Sequence, residues 1–450
     1  MIILGLGSNV GDRLDHLRKT YRLLKQLSGL VIEQVSPIYV SDALMPENAA
    51  PDWDKPYLNL ALRCKTHTKP LELLNQIKNI EWSIGRKPTA RHWGPRVIDI
   101  DILAWDDRII QHENLNVPHA SLEERPFALW PLADVCPLWT FPLPGINHGK
   151  TAAEMVEIWG SRFSGDAPFH TKQIQQRIDT PELVGIINVT PDSYSDGGRY
   201  LQRDNAIKQM HYLVQSGAEV IDIGAESTSP IASPITAKEE WERLAPVLSA
   251  IKAEQKNGVI TPKISIDTRH SEVAEKALKI GVDWINDVSG LDDPAMQEII
   301  AHGKSDCVIM HHLSIPERRD IVLARNQDPV KTVYAWIEKR LIELEKMGIT
   351  RDRIIIDPGI GFGKMAEQSL KILNHVSEFQ SLGARILIGH SRKSFLSLFT
   401  DMPFKERDVE TLTAALYLAQ QSVDYIRVHN VDVCARAMKM AAALKGFLPI

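Results

Sequence analysis

The stretch "QSGAEVIDI", residues 215–223, decides how the longer part of this chain folds. Gly217 closes a helix-length segment, and the run that follows is apolar and β-branched without alternation. That pattern suits a parallel strand buried on both faces. The same grammar returns in "KIGVDWIND" (279–287) and "SLGARILIG" (381–389). In all, eight such runs recur: LVGIINV (183–189), EVIDIGA (219–225), KISIDT (263–268), WINDVSG (284–290), CVIMHH (307–312), RIIIDPG (353–359), RILIGHS (385–391) and YIRVHN (425–430). Eight strands with helical stretches between them, over about 270 residues, predict a (β/α)8 TIM barrel. A doubly wound open sheet is the alternative, but it rarely needs eight uninterrupted parallel strands.

Catalytic groups of such a barrel gather at the C-terminal ends of its strands. Those ends read Asn188, Asp222, Asp267, Asn286, Met310 with His311, Asp357, Ser391 to Lys393, and Arg427 with His429. Singly, Asp222, Asp267 or Asp357 is explained as a cap on the helix that follows. Collectively the ends outline a site that reads a polar heterocycle with carboxylates and amides, and an anion with Lys393, Arg427 and His429.

The first part of the chain lacks that rhythm. "DRLDHLRKTYRLLKQLSG" (12–29) and "KPLELLNQIKNIEWSIG" (69–85) are amphipathic helices that stop at glycine, and strand-like pieces lie around 1–6, 31–41, 57–65 and 97–104. Two helices among four strands predict a small, antiparallel α+β sandwich. Between 160 and 182 periodicity gives way to Gly, Ser, Pro and Asp. The expected division is a first domain at 1–160, a linker at 161–178 and the barrel at 179–450.

Within the first domain, "RHWGPRVIDIDIL" (91–103) sets Asp99 and Asp101 in an otherwise apolar strand. A period of two puts both carboxylates on one face, with their stems about 6.5 Å apart. A solvated edge is the plain explanation. Arg86, Arg91 and Arg96 nearby favour another, in which divalent cations between the carboxylates hold a nucleotide triphosphate and the arginines neutralise charge on the transferring group. No P-loop competes for that nucleotide. "GLGSNVG" (5–11) has Val10 where the dinucleotide fingerprint needs glycine, and "GIGFGKM" (359–365) has Met365 where a Walker loop needs Ser or Thr. "GFGKMA" (361–366) fits G-x-G-x-x-A formally but stands in isolation.

A net charge of -5 gives no general attraction to nucleic acid or anionic lipid. The four cysteines are scattered without CxxC spacing, which predicts reduced thiols. No apolar run approaches the roughly 18 residues of a membrane span, and "MIILGLGSNVGDR" reads as a strand and a helix cap, without the basic n-region and apolar h-region of a signal peptide. A cytoplasmic protein is the expectation.

"GLGSNVGDR", "YLN" (57–59), "GRKPTARHWGPRVIDIDIL" and "VPHASLEERPFALWPL", in that order, resemble the 6-hydroxymethyl-7,8-dihydropterin pyrophosphokinase family over about residues 1–160. The resemblance implies a ferredoxin-like fold and transfer of pyrophosphate from ATP to the pterin hydroxymethyl group, leaving AMP. It implies two Mg2+ ions on Asp99 and Asp101, phosphates and transition state steadied by Arg86 and Arg96, and ATP contacts from His119 and Arg125. Tyr57, Asn59, Trp93 and Phe127 fall where that family holds the pterin.

"GIINVTPDSYSDGG", "IDIGAEST", "SIDT", "INDVSG", "IDPGIGFGK", "GHSRKSF" and "RVHN" resemble dihydropteroate synthase over about 180–450. That family condenses the pterin pyrophosphate with p-aminobenzoate. The resemblance implies one Mg2+ held with pyrophosphate by Asn188, and a grip on the leaving group by Arg427 and His429. Asp267, Asn286, Met310, Asp357 and Lys393 then hold the pterin ring, Asp222 stabilises a cationic pterin intermediate, and Thr228, Phe362 and Ser394 meet p-aminobenzoate. It also leaves a homodimer through the barrel open. Two departures stand out: Ser229-Pro230-Ile231 replaces the usual Arg-Pro-Gly, and Asn430 replaces a common Asp. The implied partners are small molecules alone, with no nucleic acid and no membrane. A methyl-transferring pterin barrel would lack the SRKS segment and the RVH pair, and a degenerate nucleotide-binding regulator would not retain both aspartates and both arginines.

Overall fold

The computed structural model describes residues 1–45, 49–86, 94–174, 176–189, 199–226, 234–256, 262–318 and 320–447. Trp93, Thr228 and the Ser229-Pro230-Ile231 departure lie outside the described residues. The chain forms two compact units, Met1–Asp179 with residues from Ala443 on, and Thr180–Ala442.

The first unit is built on β1 (Ile2–Ser8), β2 (Leu30–Val35), β3 (Ile38–Ser41), β4 (Tyr57–Thr66) and β5 (Asp99–Trp105), with a small hairpin β6 (Ile110–His112) and β7 (Leu115–Val117), and a late strand β8 (Lys172–Ile174). The sheet order is β5-β1-β4-β3-β8, with β2 also alongside β4, and every pairing is antiparallel. Helices α1 (Arg13–Gln26) and α2 (Pro70–Ile84) form as expected. Asp12 caps α1 by accepting from the Asp15 N–H, and Gly85 ends α2 at φ 110°.

Three features differ from expectation. The segment 31–41 is two strands, because Pro37 has no N–H to give and Ser36 diverts the Ala61 amide to its own hydroxyl at 2.9 Å. A third helix, α3 (Pro126–Val135), packs Leu129, Trp130 and Leu132 against Ile3, Tyr39 and Leu103 on the face of the sheet opposite α1 and α2. The stretch expected to be a linker carries β8, which pairs with the edge strand β3, while Arg177 donates to the Val35 carbonyl at 2.7 Å.

The second unit is a closed barrel of eight parallel strands, β9 (Glu182–Asn188), β10 (Val220–Gly224), β11 (Lys263–Asp267), β12 (Trp284–Asp287), β13 (Asp306–Met310), β14 (Ile354–Asp357), β15 (Arg385–Ile388) and β16 (Tyr425–Val428), with β16 returning to β9. A helix follows each strand. The glycines read as helix stops, 217, 281 and 383, adopt φ of +103°, +95° and +71°. Alternate residues explain the unbroken apolar runs. Ile221, Ile223, Ile264, Ile266, Ile354 and Ile356 face the helices. Val184, Val220, Trp284, Val308, Ile355, Leu387 and Tyr425 fill the barrel interior. Among the described residues no helix is long and apolar enough to cross a membrane, and all four cysteines are free.

Candidate active sites

In the first unit, strand parity builds the site. On β1, Ile2, Leu4 and Leu6 pack toward α1 and α2, so Gly5 and Gly7 lie on the opposite face. Gly7 is flanked by Asp99 on β5 and Asn59 on β4, and Gly5 by Asp101 and Ala61. The missing side chains leave the room. A Cβ on Gly7 would lie 3.1 Å from Asn59 Oδ1 and one on Gly5 would meet Leu103 at 2.9 Å. The result is a cavity of about 290 Å³ whose lining includes Tyr57, Asn59, Arg96, Asp99, Asp101, His119, Arg125 and Phe127. Ser41, Leu44 and Trp53, not singled out from sequence, line it as well.

The two aspartates are unequal. Arg86 Nη1 donates to Asp99 Oδ1 at 2.6 Å and Arg96 Nη1 to Oδ2 at 2.5 Å. Burial alone would raise the Asp99 carboxyl, but Arg96 and Arg86 outweigh it and hold it below the ordinary range. Asp101 is pushed up, first by burial and then by the Asp99 charge. It faces His119 Nε2 at 3.8 Å, and its side chain remains 40% exposed to the cavity. One further carboxylate, Glu81, was not legible as functional. Fully buried on α2, it receives Arg86, the Lys78 ammonium at 2.9 Å and the Ile100 N–H at 2.8 Å. It thereby locks Arg86 and the aspartate strand together. The signal was present: Glu81 shares a stripe with Leu73, Ile77 and Ile80, while Trp82 points outward.

In the barrel, the inward parity of Val184, Val220, Trp284, Val308, Ile355 and Tyr425 carries on to Asn188, Asp222, Asn286, Met310, Asp357 and Arg427. Seven strand ends therefore deliver inward groups at one mouth once Asp267 on β11 is counted. Asp222 accepts from Ser265 Oγ at 2.6 Å, Asn286 Nδ2 at 3.0 Å and Arg427 Nε at 2.6 Å, so it caps no helix. Arg427 Nη2 also reaches Asp267 at 3.0 Å. From the loop after β15, Lys393 Nζ donates to the Ile360 carbonyl at 2.6 Å and lies 4.8 Å from the centre of the Phe362 ring. A Cβ on Gly389 would be 3.7 Å from Asp357 Oδ2 and 3.9 Å from Lys393 Nζ, so these two groups approach one spot. Burial brings Lys393 down to about 8 against the pull of Asp357. His429 Nδ1 lies 2.9 Å from Ser391 Oγ, and burial with Arg427 lowers it to about 4. Ser394 is exposed beside this group. Asn430 donates to Asp408 at 2.8 Å, a carboxylate already gripped by Arg392, so the amide at this position spares two acids a head-on contact.

Asp267 yields a signed prediction. Burial, then Asp222, raises its carboxyl to about 7, whereas an unfolded aspartate titrates near 3.9. Between those values the native chain holds more protons, so this group makes stability fall as pH rises. Asp267→Asn removes the effect. Its melting midpoint should exceed the parent's by several degrees at pH 8, with the gap narrowing through pH 5 and closing near pH 4. A gap that widens on acidification would contradict this.

Comparison with known proteins agrees with both halves. Residues 3–137 match the family model for 7,8-dihydro-6-hydroxymethylpterin-pyrophosphokinase, and residues 184–429 that for pterin binding enzymes. The folate synthesis bifunctional protein of Chlamydia caviae is 38% identical over 98% of this chain and 97% of its own. The dihydropteroate synthase of Anaplasma phagocytophilum, solved with bound 6-hydroxymethylpterin-monophosphate, is 41% identical over 59% of this chain and 99% of its own, with a TM-score of 0.54. That of Xanthomonas albilineans, solved with 4-aminobenzoic acid, is 32% identical over 60% and 95%, with a TM-score of 0.55. The chain belongs to the bifunctional folate-synthesis proteins, joining a pyrophosphokinase that activates 6-hydroxymethyl-7,8-dihydropterin to a synthase that turns the product into 7,8-dihydropteroate.

Proposed function

We propose that ATP and the hydroxymethylpterin meet in the 290 Å³ cavity, and that the barrel mouth binds the resulting pyrophosphate ester with p-aminobenzoate. The observation that carries this reading is the convergence of eight assigned side chains on that one cavity, with Arg86 directly behind Asp99. Asn59, Tyr57 and Phe127 hold the pterin, by hydrogen bonding or stacking, and His119 and Arg125 hold ATP.

Two Mg2+ ions suit the aspartate pair. Asp101, raised by burial and then by the Asp99 charge, is a hard oxygen donor in want of a cation. Among the described residues no group of three or more metal-ligating side chains occurs. Phosphate oxygens and water would therefore complete the shell, as Mg2+ prefers. When bound, the ions neutralise the triphosphate. Arg86 and Arg96 bring positive charge to the transferring group, in line with a loose transition state.

In the barrel, Arg427 and His429 draw off pyrophosphate, and Asn188 would hold the one Mg2+ that supplies further neutralising charge. The methylene C–O bond breaks, the electron pair leaves with pyrophosphate, and Asp222 faces the cation left on the dihydropterin. Asp267, Asn286, Asp357, Met310 and Lys393 hold the ring. The amine of p-aminobenzoate, seated by Phe362, Ser394 and Thr228, forms the C–N bond and gives up its proton. No enzyme nucleophile is needed.

The direct test is incubation with ATP, Mg2+, hydroxymethyl-dihydropterin and p-aminobenzoate, followed by assay for AMP and dihydropteroate. Sulfonamides should raise the apparent KM for p-aminobenzoate and leave the maximal rate unchanged. Non-competitive kinetics would refute the assigned amine pocket.

A further inference from the structure

The lysine of the Walker-like "GIGFGKM" remains without a role in either reaction. It is not placed for phosphate. Lys364 is buried, with 6% of its surface exposed, and its ammonium is surrounded by protein acceptors. Its Nζ lies 2.8 Å from the Gly359 carbonyl, 2.9 Å from that of Phe362, 3.3 Å from that of His311 and 2.9 Å from His311 Nδ1. The acceptors come from two strand ends, His311 after β13 and the rest after β14. The same two ends touch a second time. Gly359 sits at φ +69°, and a Cβ there would lie 1.9 Å from the His311 carbonyl oxygen. Phe362, whose carbonyl Lys364 grips, turns its ring to Lys393, and Asp357 starts the same loop.

We propose that Lys364 is a positioning residue for the condensation, an internal hydrogen-bond donor that winds the 357–363 loop into shape and so seats the Phe362 ring where p-aminobenzoate docks. The physical reason is the cost of leaving the His311 and Phe362 carbonyls without a donor, since the Gly359 carbonyl also accepts the Phe362 N–H at 3.0 Å. The lysine Nζ meets three carbonyls and His311 Nδ1 at once, just beyond Met310↔Asp357, the last pair of the β13–β14 ladder. Asp357 is held in strand β14 and by the Gly359 N–H at 2.8 Å, so it depends less on this lysine than Phe362 does. This inference rests on the assignment of Phe362 to the amine pocket.

The test is a cycle in the full chain of Lys364→Met, Phe362→Ala and both together, read as KM for p-aminobenzoate, KM for pterin pyrophosphate and kcat. Lys364→Met should raise KM for p-aminobenzoate tenfold or more, with the pterin KM and kcat within threefold. On the Phe362→Ala background it should add little further. Equal loss in all three parameters, or additive effects in the cycle, would overturn the proposal and leave Lys364 a general scaffold. An unchanged KM in Phe362→Ala would instead sink the Phe362 assignment itself. Should Lys364→Met not fold, Lys364→Arg, which keeps the charge but replaces the compact ammonium with a planar fork that cannot meet the same convergent carbonyls, serves in the same cycle. There a selective rise in KM for p-aminobenzoate supports the proposal, and a uniform loss rejects it.

Discussion

Asp101→Ala is expected to cut AMP formation by about a thousandfold or more while condensation of supplied pterin pyrophosphate with p-aminobenzoate continues at the parent rate. The magnitude follows from losing a charge-stabilising anchor worth several kcal/mol at about 1.4 kcal/mol per tenfold. Asp101 is a cleaner probe than Asp99. Its carboxyl is raised by burial and by its neighbour, so removing it relieves repulsion. Removing Asp99 would take away the carboxylate that Arg86 and Arg96 share, leaving Arg86 its contact with buried Glu81. A melting curve no lower than the parent's, together with lost AMP, separates chemistry from folding. Parallel loss of both activities would contradict two independent sites.

Arg427→Ala is the reciprocal experiment. The guanidinium spans Asp222 at 2.6 Å and Asp267 at 3.0 Å. Without it two buried acids face each other with no shared counter-charge, a change that ordinarily costs about 3–5 kcal/mol. Separately from this stability cost, loss of the pyrophosphate grip slows the condensation. Dihydropteroate formation should fall by about a thousandfold or more, with AMP formation unaffected. Assaying both products in one preparation checks it, and near-normal condensation would remove Arg427 from the leaving-group site.

Much of this architecture was legible because burial leaves a periodic trace. In strands such as β10 and β14 the residues are apolar on both faces until the last inward one, so the switch from Val220 to Asp222, or Ile355 to Asp357, marks both the element and the mouth it opens on. The Asp99–Asp101 pair was readable for the same reason: a two-residue period cannot hide two like charges from each other. What escaped either lacked that trace or sat on it without a visible partner. Helix α3 is apolar nearly all round and carries Pro131 in its interior, so no amphipathic stripe announces it. Glu81 read as one polar residue among several, because its partners Arg86 and Ile100 come from a loop and a strand beyond its own helix. Lys364 resembled a nucleotide motif, since only its four acceptors distinguish a buried spool from a phosphate cradle.

Strand β8 bears on how the small unit is to be excised. Its three residues cover the outer backbone of β3, through Ile38↔Ile174, Tyr39↔Gln173 and Val40↔Lys172. A fragment trimmed at residue 160, where compositional change first suggests cutting, would bare that row of amides and carbonyls and invite edge-to-edge aggregation. A stop codon after Asp179 would keep the cover in place.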